Sequence, residues 1–441
     1  MNKRILRAVL MILTALLLTG CGQHTVEQMY SLPKRSQEYN HLQSAIDTQM
    51  QGREYSAPRS GEHQQTVQMA DLDGDGKEEY LVFAKGSSEK PMQILIFHLN
   101  DHGEAELMEV IESTGSAFEQ VEYVDMDDKP GCELVVGRLL SEQVPRSVSV
   151  YTFHSGYGEQ LMATGYSRFI TCDLDDNGQS ELLLIQHGES DTGRAVVTLF
   201  RYKNGDMHRS REMELSNEAN SVKRMNSGKL QDETPAIYVT STDEFHSVIT
   251  DIFTLREEQF IKVSFDLETE QNLETLRNYD VHAEDIDDDG IVELPSLISM
   301  RSLYPLWETE QQYLIRWYSL DLSGQVTNKL YSFHNYSGGW FLTLDENWAN
   351  RIALDHQENT YVFYIWSEDF QEALPVFSVY VLTGSEQDTQ AAEQNRFILH
   401  QGDDVVYACK LGMASGIYGI TEDQLMNSFH LIYQDWKSGE T

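Results

Sequence analysis

Cysteine is scarce in this 441-residue chain: beyond Cys21 there are only Cys132, Cys172 and Cys409. Such a sparse set, with no Cys-x-x-Cys spacing, argues against a disulfide framework and a cysteine-built zinc site, and leaves room for at most one bridge, for example Cys132 to Cys172. Basic residues are scarce too. There are 32 lysines and arginines against 71 aspartates and glutamates, for a formal net charge of −39. A surface of that sign is repelled by nucleic acid and by anionic lipid headgroups, so neither is expected as a partner. The same carboxylates are a store of hard oxygen ligands for divalent cations. Catalytic signatures are missing as well: there is no Gly-x-Ser-x-Gly elbow, no His-Glu-x-x-His, no phosphate-cradling glycine-rich loop and no kinase motif. The 14 histidines are scattered, with none in metal-ligand spacing to another.

Long apolar runs are absent except near the start. Lys3, Arg4 and Arg7 precede Ala8 to Leu18, a run of about eleven residues, well short of the roughly twenty needed to cross a bilayer as a helix. Positive charge, a short apolar run and then small residues make an export signal, here residues 1–20. The segment ends Leu18-Thr19-Gly20-Cys21, which resembles the lipobox of bacterial lipoproteins. The resemblance implies a diacylglyceryl cysteine at Cys21, the first mature residue, with acyl chains such as palmitate. It also implies an exported protein, lipid-anchored to the outer face of the cell membrane of a bacterium. Two or three acyl chains on one residue hold a protein stably where a single chain does not.

What the chain does have is a repeat. Asp71-Leu72-Asp73-Gly74-Asp75-Gly76-Lys77-Glu78-Glu79 leads into an apolar strand, as does Asp125-Met126-Asp127-Asp128-Lys129-Pro130-Gly131-Cys132-Glu133. The pattern returns as Asp173-Leu174-Asp175-Asp176-Asn177-Gly178-Gln179-Ser180-Glu181 and as Asp285-Ile286-Asp287-Asp288-Asp289-Gly290-Ile291-Val292-Glu293. The starts lie 54, 48 and 112 residues apart, and the last interval, twice 56, places a worn copy near Lys229. There Lys229-Leu230-Gln231-Asp232-Glu233 has lost most of its acid but keeps the strand that follows.

The spacing carries a chemistry. Carboxylates at positions 1, 3 and 5, a backbone carbonyl at 7 and a carboxylate at 9 can wrap one calcium ion, and glycine at 6 permits the tight bend. A helical EF-hand needs glutamate at position 12, where this chain has Val82, Leu184 and Ser296. The loops therefore enter strands. The expected calcium ligands are Asp71, Asp73, Asp75, Lys77 (through its carbonyl) and Glu79; Asp173, Asp175, Asn177, Gln179 and Glu181; and Asp285, Asp287, Asp289, Ile291 and Glu293. Lys129 and Pro130 at positions 5 and 6 make the second loop a polar turn rather than a metal site, and the Lys229 copy reads the same way. Bound calcium would keep the Asp-x-Asp pairs ionised, as ligands rather than proton donors.

Between loops the pattern is short strands and polar turns, for example Leu182 to Ile185, Ala195 to Tyr202, Met207 to Leu215 and Ser221 to Met225. Four strands per unit is what one propeller blade requires. Loops and strands together resemble the FG-GAP/VCBS repeats of integrin-type β-propellers. That resemblance implies a mainly β fold, a propeller of about five or more four-stranded blades over residues 63–337, with calcium tying strands together within a blade. Residues 21–62 read as a lipidated start, a spacer and a short helix with Tyr39, Leu42, Ile46 and Met50 on one face. Residues 338–441 read as a small α+β domain, faintly similar to PsbP-like domains. It is expected to end in a helix capped by Thr421 with the stripe Leu425, Phe429, Ile432, Tyr433 and Trp436. Trp307, Tyr313, Trp317 and Tyr318 cluster in the last blade; exposed, they could stack on sugar rings, and otherwise they fill the core between blades and the C-terminal domain.

The functional expectation is a non-enzymatic, membrane-anchored surface lipoprotein whose calcium-stabilised propeller binds an extracellular protein or glycan. The alternative is an extracytoplasmic hydrolase of glycans or phosphoesters, with its site at the junction of propeller and C-terminal domain.

Overall fold

The computed structural model describes residues 37–141, 144–187, 194–217, 221–242, 247–263, 275–277, 281–304, 311–369 and 371–432. Cys21 and the export signal lie outside them, as do Trp307, Tyr433 and Trp436. The described chain is mainly β, laid down as six antiparallel sheets in chain order. The first holds β1 (Glu54–Tyr55), β2 (Val67–Ala70), β3 (Glu79–Lys85), β4 (Met92–Leu99) and β5 (Ala105–Ser113), and the second β6 (Ala117–Val124), β7 (Glu133–Ser141), β8 (Val144–Thr152) and β9 (Glu159–Tyr166). The third holds β10 (Arg168–Cys172), β11 (Glu181–His187), β12 (Ala195–Lys203) and β13 (Asp206–Glu214), and the fourth β14 (Val222–Lys229), β15 (Pro235–Thr242), β16 (Val248–Arg256) and β17 (Gln259–Val263). The fifth holds β18 (Leu294–Ser299), β19 (Tyr313–Leu320), β20 (Val326–Asn335) and β21 (Trp340–Leu344). The sixth holds β22 (Ile352–Gln357), β23 (Thr360–Trp366), β24 (Ala373–Thr383), β25 (Phe397–Gln401) and β26 (Val405–Leu411).

Runs such as Leu182 to Ile185 are apolar at every position because the sheet they belong to is covered on both faces. Leu182 and Leu184 meet Val135, Val148 and Val150 of the second sheet. Leu183 and Ile185, pointing the other way, meet Ile237, Val239 and Phe253 of the fourth. The same alternation joins the first sheet to the second through Phe83, Ile94, Phe118 and Leu134. It joins the fourth to the fifth through Tyr238, Ile252, Leu294 and Tyr318. Each of these side chains stabilises the stack by about 1.5–3 kcal/mol on burial.

The two end faces are covered differently. Helix α1 (Gln37–Gln49) lays Leu42 and Ile46 on Val82, Ala84, Leu95 and Phe97, the outer face of the first sheet. Tyr39 of the expected stripe stays exposed. On the sixth sheet, Ala391 of the short helix α2 (Gln387–Ala391) sits against Val406 and Ala408. Helix α1 thus covers part of the outer face of the first sheet, and α2 part of one face of the sixth. These helices serve the series as capping elements serve repeat proteins.

Three sequence expectations are revised. First, a unit counted from one loop to the next straddles two sheets: β6 pairs with β7 across the loop between them, and likewise β10 with β11, so each loop is the first hairpin of its own sheet. Second, the boundary expected between residues 337 and 338 falls inside the β20–β21 hairpin. The fifth and sixth sheets share one core, in which Phe333, Trp340, Phe363 and Phe377 are buried together. Third, the last helix is shorter than its apolar stripe suggests. Helix α3 (Glu422–Ser428) does start at Thr421, whose hydroxyl accepts the Gln424 N–H, but it stops at Ser428. Strand β27 (Phe429–Leu431) follows and pairs with β21, laying Phe429 on Trp340 with ring centroids 5.8 Å apart. Burying that ring in an existing aromatic cluster outweighs continuing the helix. Of the expected core aromatics, Trp317 and Tyr318 are buried while Tyr313 is exposed.

Candidate metal centres in the repeat loops

Each loop is anchored from below by its own sequence. The residue at position 2 is buried at Leu72, Met126 and Leu174. Its N–H is donated to the buried glutamate at position 9: Leu72 to Glu79, Met126 to Glu133 and Leu174 to Glu181, all at 2.8 Å, and Ile286 to Glu293 at 3.1 Å. Position 9 therefore has a structural duty before any metal is considered. Desolvation pushes Glu79, Glu181 and Glu293 up to about 7, and the neighbouring aspartates push the same way. A carboxylate in that setting is stabilised by a nearby cation.

Backbone conformation explains the small residues. Position 4 is left-handed in every acidic loop, at Gly74, Asp128, Asp176 and Asp288, and position 6 is left-handed at Gly76, Gly178 and Gly290. Proline is locked at negative φ, so in the second loop Pro130 passes that conformation on to Gly131 (φ 102°). Glycine is also needed at position 4 of the first loop for space. A Cβ on Gly74 would lie 2.3 Å from the carbonyl carbon of Pro130, because the first and second loops touch. The contacts continue along the series: Ser180 N–H donates to the Asp125 carbonyl at 2.7 Å, and Val292 N–H donates to the Lys229 carbonyl at 3.0 Å. The worn Lys229 copy keeps its place as a hairpin turn between β14 and β15.

The clusters differ from the expected ligand sets. One donor atom from each of Asp71, Asp73 and Glu79 comes within 4.8 Å of the others, as for Asp173, Asp175 and Glu181, and for Asp285, Asp287 and Asp289. These three groups have the oxygen donors to hold a metal ion. Position 5 also caps the backbone: Asp75, Asn177 and Asp289 accept the N–H groups of Lys77, Gln179 and Ile291 at 2.7, 2.7 and 2.9 Å, and Asp289 in addition belongs to its loop's cluster. Asp75 and Glu293 stand outside their loops' clusters.

Basic side chains from elsewhere in the sheets, which sequence spacing did not reveal, separate the loops. Arg201 on β12 donates to Asp175 at 2.7 Å and stands 3.2 Å from Glu181, while also holding Glu258. Lys329 on β20 bridges Asp287 and Asp289. In the second loop, Lys129 and His154 both contact Asp127. Among the described residues, the first loop alone keeps its clustered carboxylates clear of any basic side chain. Its own Lys77 points away, to Asp101 at 3.3 Å. The sequence marks only part of this difference: Lys129 sits in its own loop, whereas His154, Arg201 and Lys329 lie well downstream, on or beside other strands.

The three cysteines are free thiols. Burial pushes each up to about 12, so they are poor nucleophiles. The interior between the fifth and sixth sheets is aromatic and aliphatic. A recess of about 250 Å³ at its edge is lined by Arg301, Tyr304, Asp355 and His356. His356 is exposed, stacks on Tyr361 with centroids 4.3 Å apart and bonds the Glu358 carbonyl. Among the described residues no helix is long and apolar enough to cross a membrane.

No protein-family model matches the chain, and no curated protein matches it. Among solved structures it is similar to the exotype rhamnogalacturonan lyase YesX, at 11% identity over 70% of this chain and 68% of that one, with a TM-score of 0.29. It is similar also to rhamnogalacturonan lyase YesW (11%, 72% and 71%, TM-score 0.29) and to Bacillus licheniformis rhamnogalacturonan lyase PL11 (13%, 73% and 71%, TM-score 0.29). At these scores the likeness carries no argument about activity or ligand.

Proposed function

We propose that the chain is an exported lipoprotein, tethered through Cys21, whose six sheets act as blades of an open, propeller-like array. The array binds an extracellular protein or glycan and catalyses no reaction on it. One calcium ion, held in the first loop, stiffens the end of the array nearest the tether. The observation that carries the metal part is the uncompensated cluster of Asp71, Asp73 and Glu79, next to three loops whose acid is met by Lys129 with His154, Arg201 and Lys329. A cell exterior suits such a site, because extracellular calcium at roughly millimolar levels fills loops of about 10⁻⁴ to 10⁻³ M affinity. Because the first loop touches the second, an ion there restrains two sheets at once.

The hydrolase reading has less support: the interior of the junction is apolar, and the polar recess at its edge holds Asp355 and an exposed His356 already stacked on Tyr361. The test is a pull-down from envelope extract with the soluble form lacking residues 1–21, with and without calcium. A specific protein or glycan retained only with calcium is the expected result. Hydrolysis of an envelope glycan by the purified protein would overturn the non-enzymatic reading. Replacing Cys21 with Ala is expected to release the protein from the membrane fraction, and a variant that stays bound would refute the tether.

A further inference from the structure

The second loop breaks the pattern of the other three, and its departures converge on one point. We propose that it binds a first-row transition-metal dication, zinc being the working probe, through Asp127, Glu133 and His154. Position 3 of the loop supplies Asp127 and position 9 supplies Glu133, as in the other copies. His154, just beyond β8, adds a nitrogen that no other loop has. Its Nε2 lies 2.9 Å from Asp127 Oδ2 and 3.5 Å from Glu133 Oε1. Donors around a tetrahedral zinc ion, with bonds of about 2.0–2.1 Å, stand roughly 3.3–3.4 Å apart. His154 Nε2 thus already stands near that spacing from each carboxylate, and all three donor atoms lie within 4.8 Å of one another.

A second observation points to a missing ligand. Glu133 is 1% exposed, and its Oε1 accepts no hydrogen bond. The other oxygen is fixed by the Met126 N–H, so the carboxyl cannot turn to satisfy the orphan atom. A buried acceptor short of a good hydrogen bond is costly, and here the His154 ring nitrogen stands off at 3.5 Å, at the limit of hydrogen-bond range. Asp125, at position 1, stands outside the cluster, its Oδ1 accepting the N–H groups of Asp127 and Asp128 at 3.1 and 3.0 Å. That leaves three protein ligands and an open coordination position.

The change of donor changes the ion. Calcium takes oxygen ligands, six to eight of them, which the first loop can approach with carboxylates, carbonyls and water. One imidazole and two carboxylates suit zinc and its first-row neighbours instead. Lys129 now rests on Asp127 and on the Tyr202 hydroxyl. Its side chain is 48% exposed while that of Asp127 is 1% exposed, so the ammonium can swing into water and an incoming dication takes over the balancing of the buried carboxylate. Arg201 and Lys329 guard loops that have no nitrogen donor, so the same exchange is not expected there.

The site is tested by calorimetric titration of zinc into the purified protein, in excess calcium so that the first loop is filled. One zinc ion per chain is expected. His154→Gln should weaken binding by at least about 100-fold, and Lys129→Ala should tighten it by roughly tenfold by removing the competing ammonium. Melting curves without metal show whether His154→Gln is folded; if it is not, Asp127→Asn takes its place with the same loss expected. Absence of zinc binding by both the wild type and Lys129→Ala would overturn the proposal, as would a folded His154→Gln that binds as tightly as the wild type.

Discussion

His334 is a buried histidine whose ring stacks on Phe341, which is stacked on its far side by His430, each pair with centroids 4.7 Å apart. Burial holds His334 down at about 3, against an ordinary value of 6.5. The folded protein therefore keeps it neutral over a range where the unfolded chain takes up a proton, and stability falls as pH drops from about 6.5 towards 3. The slope is roughly 1.4 kcal/mol per pH unit within that window and absent above it. His334→Phe should flatten this limb of a melting-temperature-against-pH curve; an unchanged acid limb would show that other groups set it. At Arg201 the expectation concerns charge. Arg201→Met leaves Asp175 and Glu181 facing each other without a counter-ion, at a cost of roughly 2–3 kcal/mol. Added calcium should restore part of the lost melting temperature in this variant and none in a variant that also lacks Asp173. Equal melting of the single variant with and without calcium would show that the third loop cannot take the ion. Neither His334 nor Arg201 stood out in the sequence, because burial and cross-strand pairing are set by strands far apart in the chain.

At the scale of elements, strand β27 ties the end of the described chain to the fifth sheet. Phe429 lies on Trp340, and Tyr407 of the sixth sheet lies 5.1 Å from Phe429, centroid to centroid. Phe429→Ala removes a ring from a cluster shared by two sheets and should cost about 3–4 kcal/mol, read as a lower midpoint in urea unfolding. A loss under about 1 kcal/mol would mean that the strand is peripheral. The helical spacing of Leu425, Phe429 and Ile432 was legible, but the switch to strand was not, since it depends on the open edge of β21. Strands, by contrast, were readable almost to the residue where they are buried on both faces, as at Leu182 to Ile185. Their assignment to sheets was misread by one strand, because the loop signature marks a hairpin rather than a boundary between units.

For the whole molecule, the sequence made the repeat plain and left its ends obscure. The loops recur at near-constant spacing, so the number of visible units followed from counting. The sixth sheet has no acidic loop to announce it, and residues 338–441, with longer strands and helices, read as a different domain. The capping role of α1 and α2 was likewise hidden: a short amphipathic helix looks the same whether it covers the end of a series or packs on a closed ring. The first and second loops touch at Gly74 and Pro130, so an ion bound in the first loop, as proposed, would bear on both sheets. The most direct test is therefore calcium titration of the purified protein after chelator treatment, followed by calorimetry and by melting with and without the ion. One calcium ion per chain is expected, with a higher melting temperature when it is bound, and both effects lost in Asp73→Asn. Absence of calcium binding, or two or more ions whose binding survives Asp73→Asn, would contradict the assignment of the metal to the first loop.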